Sequence, residues 1–534
     1  MLARKSFLVV TSQIFTRFLG WIGLVVLAKL WGDFAPEALG VVGFAMAFLA
    51  MFNIIADLGF SSAHIKRVSE GKDLGACLGT YATIKLILTS VMVLAVFVYI
   101  FIWKNFLNGG FSDATTESVV YVFILYYIFL NLFQIATYTF EGRKEIAKRQ
   151  ITGIFENIVK VPLEILVALA GVTMIGVANI PPAVDWPNFL KPIQEFFSTH
   201  AYGSYAMTYV FAAMTTFFVG IWLLRKYPLK RPSWGLFKSY FYFAIPIMFM
   251  SIIGIISVNI DKIMIGYFWT NVEVGYYFTV QQVLQIISVL SGAVGMVLFP
   301  TLSEQHSSEN FEKVKKITHL AERYVSMVMI PVIVVIIIFT KPIIEIMLSD
   351  AFLPATTVLL TLTIYALIIS LCMPYTSLIS GINRPGVTAK IGFIMCATNI
   401  VLNYLFIPQW GLLSTFGING PTGAAIATLI SSLVGFVGLR LVAKKLTGIK
   451  LLHRHTPLHI IAGIIMGVVL YSIDLITPVV HWYFLLVFAV IGLAIYLFIL
   501  YILKEFNKRD LMFFLDMIHP GEMIRYIKNE LKGK

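Results

Sequence analysis

The sequence predicts an all-α polytopic membrane protein of about fourteen transmembrane helices. Two parallel six-helix bundles come first, and two further C-terminal helices follow. Three observations carry that prediction. Apolar residues make up 59% of the chain and charged residues 13%, against roughly 45–50% and about 25% in soluble domains. The apolar residues are gathered into runs of the ~20 residues that a helix needs to cross a bilayer. Short landmarks also recur in the same order in the two halves of the chain.

The runs cover 6–31, 38–63, 77–103, 118–140, 151–176, 201–224, 240–266, 273–300, 324–348, 355–380, 387–408, 418–439, 457–478 and 481–503. The first follows the basic start "MLARKSFLVV", which has the look of a signal peptide. That run continues to Trp31, contains Arg17 and lacks a small-x-small cleavage site, so it reads as an uncleaved span. Between the fifth and sixth runs lies a Pro-rich loop, 177–200, too short for a domain. After Leu503, the positions Leu511, Phe514, Leu515 and Ile518 line one apolar face among charges, which predicts an interfacial helix on the inner leaflet. A solvated tail is the alternative.

Orientation follows from the 40 Lys and Arg. Only Lys104, Lys191 and Lys341 fall in loops on one side, and Arg17, Lys29, Lys85, Lys160 and Lys262 fall within spans. All the others lie on the opposite side, which is therefore cytoplasmic, with both termini. The positive net charge is thus a topology signal, and nucleic acid is not an expected partner. Cys77, Cys372 and Cys396 have no paired spacing and indicate neither a disulfide framework nor a metal site.

The second span opens with "GDFAPEALGVVGF" and the eighth with "GYFWTNVEVGYYF". The fifth holds "NIVK" and the eleventh "NIVLN", while the sixth ends "VGIWLLRK" and the twelfth "VGLRLVAKK". Six spans is an even number, so the copies enter from the same side and are parallel repeats. The expected divisions are 1–226 and 227–446 for the bundles, 447–503 for the last two spans, and 504–534 for an amphipathic tail.

Charged groups at bilayer depth must face protein or water. Arg17 lies about eleven residues into the first span, ~16 Å at 1.5 Å per residue. It is too deep to snorkel easily. Glu156, Lys160 and Glu164 repeat every four residues and form one stripe on the fifth span. Asp57 follows Asn53 by four, and Lys85 lies in the third span. In the second copy, Gln281 and Gln285 lie on the eighth span, and Asn399 and Asn403 on the eleventh. Asp261 and Lys262 sit near the outer end of the seventh, where Lys262 is expected to reach outward. Internal salt bridges that fix helix packing are the bland reading of all these charges. No P-loop and no H-E-x-x-H is present. "HRHTPLH" (453–459) reads as a basic loop, because zinc needs three or four ligands.

Four stretches carry a family resemblance: "LGVVGFAMAFLAMFNIIADLGFSSA" (39–63), "NIDKIMIGYFWTNVEVGYYFTVQQV" (259–283), "LFPTLSE" (298–304) and "NIVLNYLFIPQWGLLSTFGINGPTGAAIATLISS" (399–432). The chain resembles the polysaccharide transporter family of Wzx-type flippases, within the multidrug/oligosaccharidyl-lipid/polysaccharide exporter superfamily. The resemblance implies a V-shaped, MATE-like pair of bundles. It implies a transporter rather than an enzyme, one that moves a polyprenyl-diphosphate-linked oligosaccharide across the cytoplasmic membrane by alternating access. The expected partners are that lipid-linked glycan, membrane lipids, and a glycan polymerase or glycosyltransferases. No cofactor is implied, and coupling to a proton or sodium gradient stays open. Under this reading Arg17 is the principal diphosphate ligand, with Lys85 and Lys160 assisting. Asp57, Glu156, Glu164 and Asp261 balance charge or couple an ion, and Gln281, Gln285, Asn399 and Asn403 meet sugar hydroxyls. Alternatives are a multidrug or cation antiporter, a peptidoglycan-precursor flippase, or a membrane glycosyltransferase or polymerase using Asp33 and Glu37.

Overall fold

A computed structural model describes residues 2–174, 177–285, 287–289, 311–449, 455–507 and 510. The expected interfacial helix of the tail and the "LFPTLSE" motif lie outside these residues. The chain divides into two compact units, Phe15–Thr279, and Met1–Ile14 with Val280–Lys534. Both are helical, as a lipid environment demands, because every backbone polar group must there be bonded internally.

The first unit begins within α1 (Leu2–Trp31). A short 3-10 turn, Gly32–Phe34, leads to α2 (Ala35–Asn53), which carries Pro36 in its first turn, where a missing N–H costs nothing. The second predicted span is not one helix. It breaks over residues 54–59, where Leu58 (φ 44°) and Gly59 (φ 82°) turn left-handed, and restarts as α3 (Phe60–Ser69). The helices α4 (Leu74–Asn105) and α5 (Ala114–Gly142) follow. Each is capped by an aspartate: Asp73 accepts from the Ala76 amide at 2.8 Å, and Asp113 from the Thr116 amide at 2.6 Å.

The fifth span, α6 (Ile146–Leu169), stops earlier than its apolar run. Gly171 (φ 75°) ends it, and a side chain there would collide with the Ile180 carbonyl. The Pro-rich loop is also more ordered than its composition implies. Its β2 (Ala178–Ile180) pairs antiparallel with β1 (Val172–Met174) at the end of the fifth apolar run, with Val172 facing Ile180. A short helix, α7 (Lys191–Thr199), follows the hairpin. Then come α8 (Ala201–Leu224), α9 (Trp234–Phe268) and α10, helical over 271–285 and 287–289. The tightest crossing joins α2 to the start of α10. A Cβ on Gly40 would strike the Asn271 carbonyl, and one on Gly275 would strike the Pro36 carbonyl. Both glycines belong to the repeated landmarks.

The second unit contains the rest of α10, then α11 (Phe311–Ile338), α12 (Thr340–Met347), α13 (Thr356–Gly381), α14 (Pro385–Phe406), α15 (Gly420–Thr447), α16 (His455–Ile476) and α17 (Trp482–Ile502). The helix α15 packs on α13 and α14, while α11 packs on α13 and α16. One core gathers Cys372, Tyr375, Leu378 and Leu439. Another gathers Met466, Leu470, Phe488 and Tyr496.

Among the described residues, eleven segments are long and apolar enough to span a membrane. Thr11–Asn53 counts once although α1 and α2 share it. The helix α6 is absent from that set, since it carries Glu156, Lys160 and Glu164. The eighth predicted span runs beyond the described residues.

Candidate functional site

The first unit brings the charges of α1 and α6 together. Gly20 and Gly23 lack side chains where α1 faces the α6 stripe. A Cβ on Gly20 would lie 3.3 Å from Asn157 Oδ1, and one on Gly23 would run into the Glu164 carboxylate. Arg17 lies one turn before Gly20, close enough for Glu156 to act on it by charge. Lys160 Nζ sits 3.6 Å from Glu164 Oε1 and 4.5 Å above the Tyr209 ring. Tyr209 in turn shares a 3.2 Å hydroxyl contact with Tyr205. The cluster therefore holds two cations and two carboxylates.

Exposure separates these groups. Glu164 is buried and the Lys160 side chain is 15% exposed. Arg17 is exposed, and no carboxylate of the described residues lies within salt-bridge distance of it. It is the exposed member of the cluster.

Lys85 does not join Arg17. It is fully buried, and its ammonium donates to Gln134 Oε1 at 2.7 Å, the Ala56 carbonyl at 2.9 Å and Asp57 Oδ1 at 3.2 Å. Three N–H donors thus have three near partners, and none is left for a phosphate. Asp57 also accepts from Ser61, whose hydroxyl lies 2.7 Å from the Tyr81 hydroxyl.

The remaining expected site residues are scattered. Asp261 is buried and accepts from the Tyr277 hydroxyl. Lys262 does not reach outward: it is 5% exposed, with its ammonium 3.0 Å from the Val258 carbonyl one turn back. Asn399 and Asn403 bond one another at 3.2 Å, and Asn399 donates to Thr428 at 3.1 Å. Both are buried against α15 and offer no open amide surface. Gln285 donates to Gln282 at 2.6 Å, and Gln281 lies a turn earlier on α10. Asp33 and Glu37 line a separate cleft of about 390 Å³ with Lys29 and Asn179.

Two polar clusters escaped the sequence reading. His64 is buried between the Tyr240 hydroxyl at 3.0 Å and the Thr139 hydroxyl at 2.9 Å, and stacks on Tyr81. Ser61 and His64, three apart, share one face of α3, and that spacing was the available signal. In the second unit, Glu322 pairs with Arg440 and accepts from Tyr375 at 2.6 Å. Arg323 bridges Glu505 at 2.8 Å and Asp510 at 2.8 Å. The "HRHTPLH" run is not simply a loop. His455 opens α16 and contacts Glu505, and His459 is buried 2.7 Å from the Ser326 hydroxyl. Among the described residues, no three His, Cys, Asp or Glu side chains are grouped to hold a metal ion.

Comparison with known proteins agrees with this architecture. Residues 2–179 and residues 196–357 match two sequence families, each described as "Polysaccharide biosynthesis protein". Over both stretches the chain is similar to polysaccharide biosynthesis proteins. A relative in Haloferax volcanii, described as the probable low-salt glycan biosynthesis flippase Agl15, is 24% identical over 82% of each chain. A second from that organism, the probable flippase AglR, is 26% identical over 33% of this chain and 36% of its own. The solved lipid II flippase MurJ, in an inward closed conformation, superposes with a TM-score of 0.70 at 17% identity, covering 95% of this chain and 99% of its own. An inward-facing multidrug resistance MATE transporter gives 0.56 at 14% identity over 81% and 96%. At those identities the structures show a shared fold, and the likeness to polysaccharide biosynthesis proteins rests on sequence.

Proposed function

We propose that this protein flips a polyprenyl-diphosphate-linked oligosaccharide from the cytoplasmic to the outer leaflet of the cell membrane by alternating access. The polysaccharide families matched at sequence level and the flippase relatives support a lipid-linked glycan as cargo. The single observation that carries the chemistry is Arg17. An arginine about halfway through a membrane-crossing helix, exposed and without an ion pair to any described residue, is a costly feature unless an anion uses it. A diphosphate fits the need, because the guanidinium fork matches phosphate oxygens in a bidentate manner. Lys160 lies in the same cluster, held beside Glu164, and is the second phosphate-facing cation of this reading. Glu156 and Glu164 keep the cluster near neutral when no cargo is bound. A proton or sodium gradient is the source of drive under this reading, and the termini lie in the cytoplasm.

Accessibility of lipid-linked oligosaccharide to an impermeant probe tests the proposal. Cells lacking the protein should hold that glycan lipid on the inner face, and the wild-type gene should restore its labelling from outside. Arg17→Ala should reach the membrane at normal abundance yet restore almost none of the labelling. Normal outer labelling in the deletion would refute the flippase, and normal labelling with Arg17→Ala would refute the role of Arg17.

A further inference from the structure

Lys85 stands eleven residues into the 32-residue α4 from Leu74, ~16 Å along the helix and well inside the span. Nothing of it is exposed. Four oxygens surround its ammonium: Gln134 Oε1 at 2.7 Å, the Ala56 carbonyl at 2.9 Å, Asp57 Oδ1 at 3.2 Å and Asn131 Oδ1 at 3.5 Å. An ammonium has three hydrogens, so this shell has more oxygens than it can donate to. The donor set mixes one carboxylate, one backbone carbonyl and two amide oxygens.

The carbonyl comes from the break between α2 and α3. The left-handed turn at Leu58 and Gly59 interrupts the helical bonding that would otherwise occupy Ala56. Gly59 is needed there both for its φ of 82° and because a Cβ would press on the Ala244 carbonyl of α9, at 2.8 Å. Broken helices whose freed carbonyls gather around a cation are the ion sites of many secondary transporters. The negative end of the α2 dipole points at the same place.

We propose that these four oxygens form a monovalent-cation site at the break, and that the side chain of Lys85 is its built-in occupant. The protein therefore takes up no ion from solution at this point. The charge balance selects a monovalent ion: Asp57 supplies one negative charge, and the other three ligands are neutral. The site also has a way in once the tether is gone, because the Asp57 side chain is 29% exposed while Lys85 is sealed. A plain structural ion pair would need only three acceptors for its three N–H donors, and the fourth oxygen exceeds that count.

The test is to shorten the tether and offer the cation back. Lys85→Ala is expressed and purified in sodium, potassium, methylammonium or choline chloride at equal ionic strength. Choline is too bulky to enter. Methylammonium, or one of the alkali ions, should raise the melting temperature of the variant saturably over choline. At ten times its dissociation constant it should raise the folded-to-unfolded ratio about tenfold. The wild type should show no such preference, and Lys85→Ala with Asp57→Ala should lose it. Equal behaviour of Lys85→Ala in all four salts overturns the site, and so does failure to fold in every one of them. None of these readouts depends on glycan transport, so the flippase reading and this one fail separately.

Discussion

Arg17 and Lys85 both lie inside spans, in α1 and α4, and sequence alone assigns them the same task. What separates them is partners. Lys85 meets oxygens contributed by α5 and by a helix break, neither of which helical spacing within α4 reveals. Arg17 faces a stripe whose four-residue period is visible in the sequence, and that stripe was legible for this reason. Partners from other helices were not, and the amides Asn399 and Asn403 fell to the same limit. At the membrane surface, single residues allow a sharper prediction. Glu145 precedes α6 and accepts from Arg143 at 2.7 Å, Lys148 at 2.8 Å and the Tyr227 hydroxyl. Burial alone would raise its pKa, but these hydrogen bonds outweigh burial and hold it below the usual glutamate value. The unfolded chain then binds the proton more readily, so stability rises with pH through this window. Acidification should begin to remove this stabilisation near the ordinary glutamate pKa of about 4.3, and complete the loss below the lowered native value. Melting curves of Glu145→Gln should be flatter with pH across that range than those of the wild type. Parallel curves would mean that Glu145 does not contribute.

Among the elements, the α2–α10 crossing shows how a repeat becomes a contact. The notable feature of "GDFAPEALGVVGF" and "GYFWTNVEVGYYF" in sequence was their common order, whereas in the fold Gly40 and Gly275 lie against each other's helix. Small residues let backbones approach where lipid supplies no hydrophobic drive between helices. The recurrence was readable, and its meeting point was not, since that depends on how two distant segments fold back. The D-L-G break was hidden for a related reason. Apolar residues continue through 54–63, so hydropathy sees one span, while the left-handed turn needs only Leu58 and Gly59. Gly275→Leu should force α10 away from the Pro36 carbonyl and cost at least the ~1–3 kcal/mol of an overpacked core. Gly254→Leu, on α9 with open space around it, should cost less than about 0.5 kcal/mol. Equal melting temperatures for the two variants would show that the close crossing is unimportant.

For the molecule as a whole, the all-helical, multi-pass membrane class follows from composition, but the attachment of the last two helices does not. In sequence, Arg323 and Arg440 are two more cations on the predicted inner side. In the fold of the second unit they are buried with carboxylates. Glu322 takes Arg440, and Arg323 spans from α11 to Glu505 and Asp510, which follow α17. Asp510 shows the strength of that clasp. Burial would raise its pKa, yet the hydrogen bonds from Arg323 and the Asn507 amide, with the Arg323 charge, keep it below the usual aspartate value. A buried pair adds little net stability over a well-packed apolar one, but removing one partner strands the other. Arg323→Ala leaves Glu505 and Asp510 without their main cation, at a cost of about 3–5 kcal/mol. The exposed Lys341–Glu345 pair, 3.6 Å apart, is the control, and Lys341→Ala should cost less than about 1 kcal/mol. The loss in Arg323→Ala should also be local, because Arg323 is what holds the chain after α17 to α11. Hydrogen exchange in the wild type should therefore be slow at 500–507, where the Glu505 amide bonds to the Leu500 carbonyl at 2.8 Å. In the variant it should quicken there before it quickens in α13 and α15. Uniform acceleration across the second unit would instead make Arg323 part of one cooperative core, and the last two helices would be no separate attachment.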